Sequence, residues 1–196
     1  MTSDDLLVAV APVAECLDRL HVRFFVTGSA ASSAHGVARA SLDVDLVAEL
    51  EPAHVERFIA CLADAYYIPL DALRVAVTER RSFNLVHLAT MFKVDVFVSR
   101  RRDYDIVAAE RAQLESIDET AGAHRLPTAT AEDTVLRKLE GFRRGGEVSE
   151  RQWWDVVGVL KVTRHADREY LQRWAARLDI ADLLDRALTQ ANHEQV

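Results

Sequence analysis

Residues 39–48 read Arg39-Ala40-Ser41-Leu42-Asp43-Val44-Asp45-Leu46-Val47-Ala48. From Asp43 on, the stretch has the apolar alternation of a β-strand. Side chains alternate between the two faces of a strand, so Asp43 and Asp45 share one face, and Val44, Leu46 and Ala48 share the other. Aspartate is depleted in strands, so two on one face need a reason. Side by side they repel each other unless a cation lies between them. Mg²⁺ takes hard oxygen ligands, commonly one or two carboxylates plus substrate phosphates. Upstream, Arg39 and Ser41 continue the same two-residue period. In an extended chain all four point one way, and Arg39 is then set to meet a phosphate or brace a carboxylate. The ordinary alternative for Arg39 is a surface arginine in a loop.

A third carboxylate has a similar setting. Asp95 lies in Lys93-Val94-Asp95-Val96-Phe97, again alternating. If the two strands are neighbours, Asp95 joins Asp43 and Asp45. Three carboxylates can hold two Mg²⁺ ions for in-line phosphoryl or nucleotidyl transfer. The plain alternative is a strand pair with solvated acids on its outer face. Before the acidic strand, Gly28-Ser29 follows the apolar run Arg23 to Thr27 and opens a small-residue segment. There a glycine lets backbone come close to a phosphate and a serine offers its hydroxyl, although such pairs also fill ordinary turns.

The 196 residues carry 24 Lys+Arg against 31 Asp+Glu, a net charge of −7. Acidity of this size argues against a broad nucleic-acid-coating surface but leaves room for a local basic cleft. Arg80-Arg81, Arg100-Arg101-Arg102 and Arg143-Arg144 are its candidates. No apolar run approaches the roughly 20 residues of a membrane span, and the polar, acidic start is unlike a secretory signal. The expectation is a cytoplasmic protein without a membrane partner. Cys16 and Cys61 sit in apolar helical settings and read as packing residues, not a disulfide or zinc pair.

Periodicity predicts helices over 3–20, 52–66, 71–80 and 104–114, and strands over 23–27, 43–48, 83–88 and 91–98. A short helix ending at Gly36 follows Gly28-Ser29. Residues 125–127 read as a connector, and beyond them everything is helical. Thr130 with Asp133 and Ser149 with Gln152 resemble capping boxes that open two helices, and two more follow over 167–177 and 179–191. The fold class is α+β: a mixed β-sheet flanked by helices in residues 1–128, then a helical domain in 129–196. On the helix from Thr130, Val135, Leu139 and Phe142 form the buried stripe, with Lys138 at its edge. Asp155 lies opposite the stripe of Trp153, Val156, Val157 and Leu160, so pattern alone turns it to solvent. The tryptophans read as core.

Gly28-Ser29, a thirteen-residue spacer, Asp43-Val44-Asp45 and a separate Asp95 together resemble the signature of the polymerase-β-like nucleotidyltransferases. The stretch Glu132 to Glu140, with Arg143 to Glu147 and Arg151 to Val156, looks like the AbiEii/MenT group of toxin nucleotidyltransferases in type IV-like toxin–antitoxin systems. The resemblance implies an N-terminal nucleotidyltransferase fold and Mg²⁺-dependent transfer of a nucleotide from an NTP. It implies Asp43, Asp45 and Asp95 as metal ligands, and Lys138 and Asp155 as further active-site residues. By their placement Gly28, Ser29, Arg39 and Ser41 are candidate nucleotide contacts, joined by Lys138 from the resemblance, which also implies a tRNA 3′ end as acceptor and a cognate antitoxin as partner. A phosphate on Ser41 would bring negative charge beside the acids and silence such an enzyme. The alternatives are transfer to a small molecule, such as an aminoglycoside-type acceptor, or to a protein, and a non-catalytic interaction subunit that keeps the fold.

Overall fold

The acidic strand lies in the middle of the molecule. In the computed structural model, which describes residues 3–35, 43–116, 125–163 and 165–193, β2 (Asp43–Ala48) lies between β1 (Phe24–Thr27) and β5 (Lys93–Val98). β1 runs antiparallel to β2, and β5 runs parallel to it. β4 (Ser82–His87) pairs antiparallel with β5, and the two-residue β3 (Tyr66–Tyr67) edges β4. On the other side β7 (Arg125–Thr128) lies parallel to β1 and carries β6 (Gln113–Ser116) on its outer edge. Among the described residues the sheet order is β3-β4-β5-β2-β1-β7-β6.

Each face of the sheet has its own core. Val44, Leu46 and Ala48 of β2, with Val94, Val96 and Val98 of β5, pack under α1 (Ser3–Arg19), α3 (Val55–Leu62) and α4 (Leu70–Glu79). Alternation puts the acids on the opposite face. There Phe25, Val47 and Tyr104, the last on α5 (Asp103–Arg111), join a second core with four later helices. These are α6 (Ala131–Arg144), α7 (Glu150–Val162), α8 (Arg168–Arg177) and α9 (Ala181–His193). Both anticipated caps form: the Thr130 and Ser149 hydroxyls accept from the Asp133 and Gln152 amides. Among the described residues no helix is long and apolar enough to cross a membrane.

Three expectations change. Residues 125–127 are not a connector but part of β7. The helix expected to reach residue 114 stops at Arg111, and Leu114 lies in β6. The helix expected over 52–66 is a 3-10 turn, Pro52–His54, followed by α3. Of the tryptophans Trp174 is core, whereas Trp154 is exposed. Cys16 and Cys61 are free thiols, as expected. Arg39, Ser41 and Gly36, and any phosphate on Ser41, lie outside the described residues.

Candidate active site

Strand register assembles the acids. Asp45 of β2 faces Asp95 of β5, and Thr27 of β1 faces Asp45 from the other side. The chain leaves β1 at Gly28, which opens the seven-residue α2 (Gly28–Ala34) with φ +68°. A Cβ on Gly28 would lie 1.7 Å from Asp45 Oδ2, so only glycine allows the carboxylate to settle against this backbone. The position needs glycine twice over, for its left-handed φ and for the close approach.

Packing carboxylates together raises the cost of ionising them. Burial, then the Asp43 and Asp95 charges, push the Asp45 carboxyl up to about 6, while Lys138 and Lys93 pull the other way. Lys93 Nζ lies 2.7 Å from Asp95 Oδ2. It stays firmly protonated, held up by its hydrogen bond to Asp95 and by the three acids around it. Among the described residues no three carboxylate, imidazole or thiol side chains are arranged to enclose a metal ion. In this arrangement Asp95 is ion-paired with Lys93. The donor set still suits a hard cation. It is all oxygen, it shares one face, and its repulsion is only partly offset by lysines.

The helices close the site from above. Lys138, on α6, donates to Asp155 Oδ2, on α7, at 2.8 Å. Both side chains are largely buried. Asp155, expected to face solvent, is therefore turned inward, because a charged partner on the neighbouring helix waits for it. A buried pair of this kind is stable only when each charge keeps its partner.

Gly28, Ser29, Asp43, Asp45, Lys138 and Asp155 all line one cleft of about 930 Å³. Asp95 stands beside Asp45, one strand over. The cleft is also lined by Arg80, Arg81, Arg100, Arg102, Arg137, Arg144 and Arg151. With Lys138, these outnumber the lining acids Asp43, Asp45, Asp105, Glu140 and Asp155 by three, in a chain of net charge −7. Not every arginine in the expected runs takes part. Arg101 turns to Glu49 and Glu51, and Arg143 to Glu147 and Asp182.

Sequence reasoning missed a bracket under the cleft. Arg102 donates through Nε to Asp105 Oδ2 at 2.9 Å and through Nη1 to Glu140 Oε1 at 2.6 Å. Burial pushes both carboxyls up, but hydrogen bonds and charge from Arg102 outweigh it and hold both below the usual range. The only signal was an acid three residues after an arginine at a helix start, which reads as an ordinary cap.

No protein-family model matches the sequence, and a search of curated proteins finds no match. Solved structures do match. The antibiotic-resistance factor ANT(2'')-Ia, seen in solution, overlays with a TM-score of 0.55 at 11% identity, covering 99% of this chain and 99% of that one. An antigenic nucleotidyltransferase-like protein from Paracoccidioides brasiliensis overlays with a TM-score of 0.55 at 16% identity, covering 96% of this chain and 94% of that one. At such identities the likeness is one of fold alone, a mixed sheet flanked by helices with further helices after it.

Proposed function

We propose that the protein is a Mg²⁺-dependent nucleotidyltransferase that moves a nucleotide from an NTP to an acceptor hydroxyl and releases pyrophosphate. The observation that carries this reading is the facing of Asp45 and Asp95 across β2 and β5, with Asp43 on the same face and Gly28 cradling Asp45. Asp43 and Asp45 would hold Mg²⁺. Asp95 would join them when Lys93 swings aside on its partly exposed stem, which makes room for the second of two ions. Bound there, the metal would supply positive charge to the triphosphate and acidify the attacking hydroxyl.

The chain's own groups do the rest. Ser29 and the backbone at Gly28 receive the triphosphate. Lys138, oriented by Asp155, neutralises charge that builds on the phosphates during transfer. Asp95 accepts the acceptor's proton. The new bond joins the acceptor oxygen to the α-phosphorus, and the bond to the pyrophosphate oxygen breaks. Arg39 and Ser41 belong to this reading as further nucleotide contacts.

The narrower reading is an AbiEii/MenT-type toxin acting on a tRNA 3′ end and restrained by an antitoxin. Its support is the excess of basic groups in the cleft and the inward placement of Lys138 and Asp155. A small-molecule acceptor is the second reading, favoured by the full-length overlay with an antibiotic-resistance factor. One experiment tests all of them. Each labelled NTP is offered with Mg²⁺ and, in parallel, total tRNA, protein lysate or small acceptors. Label entering tRNA supports the toxin reading, and label entering a small molecule supports the second. Asp45→Ala is expected to lower transfer by at least about 1,000-fold while the protein stays folded, in line with the loss of a preorganised charge group. An active Asp45→Ala protein overturns the metal-site assignment.

A further inference from the structure

The acids occupy one face of the sheet. On the other face, where α1 packs against α3, the chain's two sulfhydryls meet. Cys16 lies on α1 and is fully buried, and Cys61 lies on α3 and is partly exposed. The two thiols hydrogen-bond each other. Neighbouring turns hold them in register. Cys16 Sγ points to the Phe58 carbonyl of α3 at 4.0 Å, and Arg19 Nη2 of α1 donates to Cys61 Sγ at 2.7 Å. Three residues along one helix match three along the other, so all four groups lie on the facing sides of the two helices.

Space-filling alone does not explain this order. A cysteine that merely packs is content among apolar neighbours. Here an exposed arginine turns onto a partly exposed sulfur, and a second sulfur lies behind it, closed to water. Burial, then the contact with Cys61, push the Cys16 thiol up to about 12, so Cys16 does not react first.

We propose that Cys16 and Cys61 are a dithiol redox site, which small-molecule disulfides convert to a Cys16–Cys61 disulfide. The Cys61 sulfur attacks one sulfur of the small disulfide, with Arg19 facing the negative charge it carries during exchange. A mixed disulfide forms, and one small thiol departs with the Cys61 proton. Cys16 then attacks Cys61 Sγ, and the second small thiol departs with the Cys16 proton. Two cysteine sulfurs are oxidised, and one small disulfide is reduced to two thiols. The new bond staples α1 to α3. It closes into a loop the segment that carries Gly28, Asp43 and Asp45, which limits how far the unfolded chain can spread. None of Cys16, Arg19, Phe58 and Cys61 lines the cleft, so this site stands apart from the nucleotidyltransferase reading.

The test uses the full chain, reduced, freed of reductant and incubated with glutathione disulfide. Both free thiols are expected to disappear, the intact mass to fall by two hydrogens with no glutathione retained, and a tryptic peptide pair to join Cys16 to Cys61. The melting temperature should rise by about 5–10 °C and return on reduction. Cys16→Ser should stop at the mixed disulfide and keep one glutathione on Cys61. Cys61→Ser should take up none, because Cys16 is closed to solvent. Arg19→Met, which leaves both sulfurs in place, should form the bond several-fold more slowly. Two thiols still free after prolonged exposure overturn the site, as does glutathione on Cys16 in the Cys61→Ser protein or a disulfide that joins two chains. An Arg19→Met protein that reacts at the wild-type rate overturns the part given to the guanidinium. A melting temperature unchanged or lowered by oxidation overturns the staple.

Discussion

Asp45 carries a conflict that pH can expose. Its carboxyl titrates near 6 in the folded chain, raised by burial and by Asp43 and Asp95, against about 3.9 when unfolded. Between pH 4 and 6 the folded protein keeps a proton that the unfolded chain has lost. This contribution to stability is thus present at pH 4 and falls away as pH rises through 6. Two units correspond to about 3 kcal/mol at most. Asp45→Asn removes the titration. Without divalent ions, its stability advantage over wild type should be near zero at pH 4 and about 2 kcal/mol at pH 7, measured by urea unfolding at each pH. An advantage of equal size at both pH values would show that neither burial nor repulsion among the acids raises the Asp45 carboxyl.

At the scale of elements, the Arg102 bracket joins the start of α5 to the middle of α6, the helix that carries Lys138. Arg102→Ala leaves Asp105 and Glu140 facing each other with less compensation, although Arg137 and Arg144 remain nearby. Unfolding free energy should drop by about 2–3 kcal/mol, and the loss should shrink below pH 4 as the two acids become protonated. Elements also show what a sequence can reveal. β2 is legible because polar and apolar side chains alternate through its first four residues. β7 is not. It is four residues long, contains Pro127 and owes its place to pairing with β1 and β6, neither of which signals the other in sequence. Asp155 escaped for a related reason. Helical periodicity sees the apolar face of α7 but not the ammonium that α6 brings to the other side. Gly28-Ser29 was legible as a motif, yet the reason for glycine, the carboxylate of Asp45, emerges only from the pairing of β1 with β2.

For the whole molecule, charge is distributed rather than simply negative. The chain totals −7 while its cleft lining is positive by three. A tRNA 3′ end held by about three phosphate contacts should show log K falling with log salt at a slope of about −2. A titration from 50 to 300 mM NaCl reads this directly. A slope steeper than about −5 would mean that the surface at large, and not the cleft, takes up the RNA.

The register that sets Asp45 against Asp95 also has a history in time. The two residues come together only when a strand pairs with another some fifty positions later, in parallel, and Lys138 and Asp155 come later still. Such distant pairing is slow and late in folding. A chain still emerging from the ribosome therefore has aspartates but no acid centre, and its chemistry waits on the closing of its longest loops.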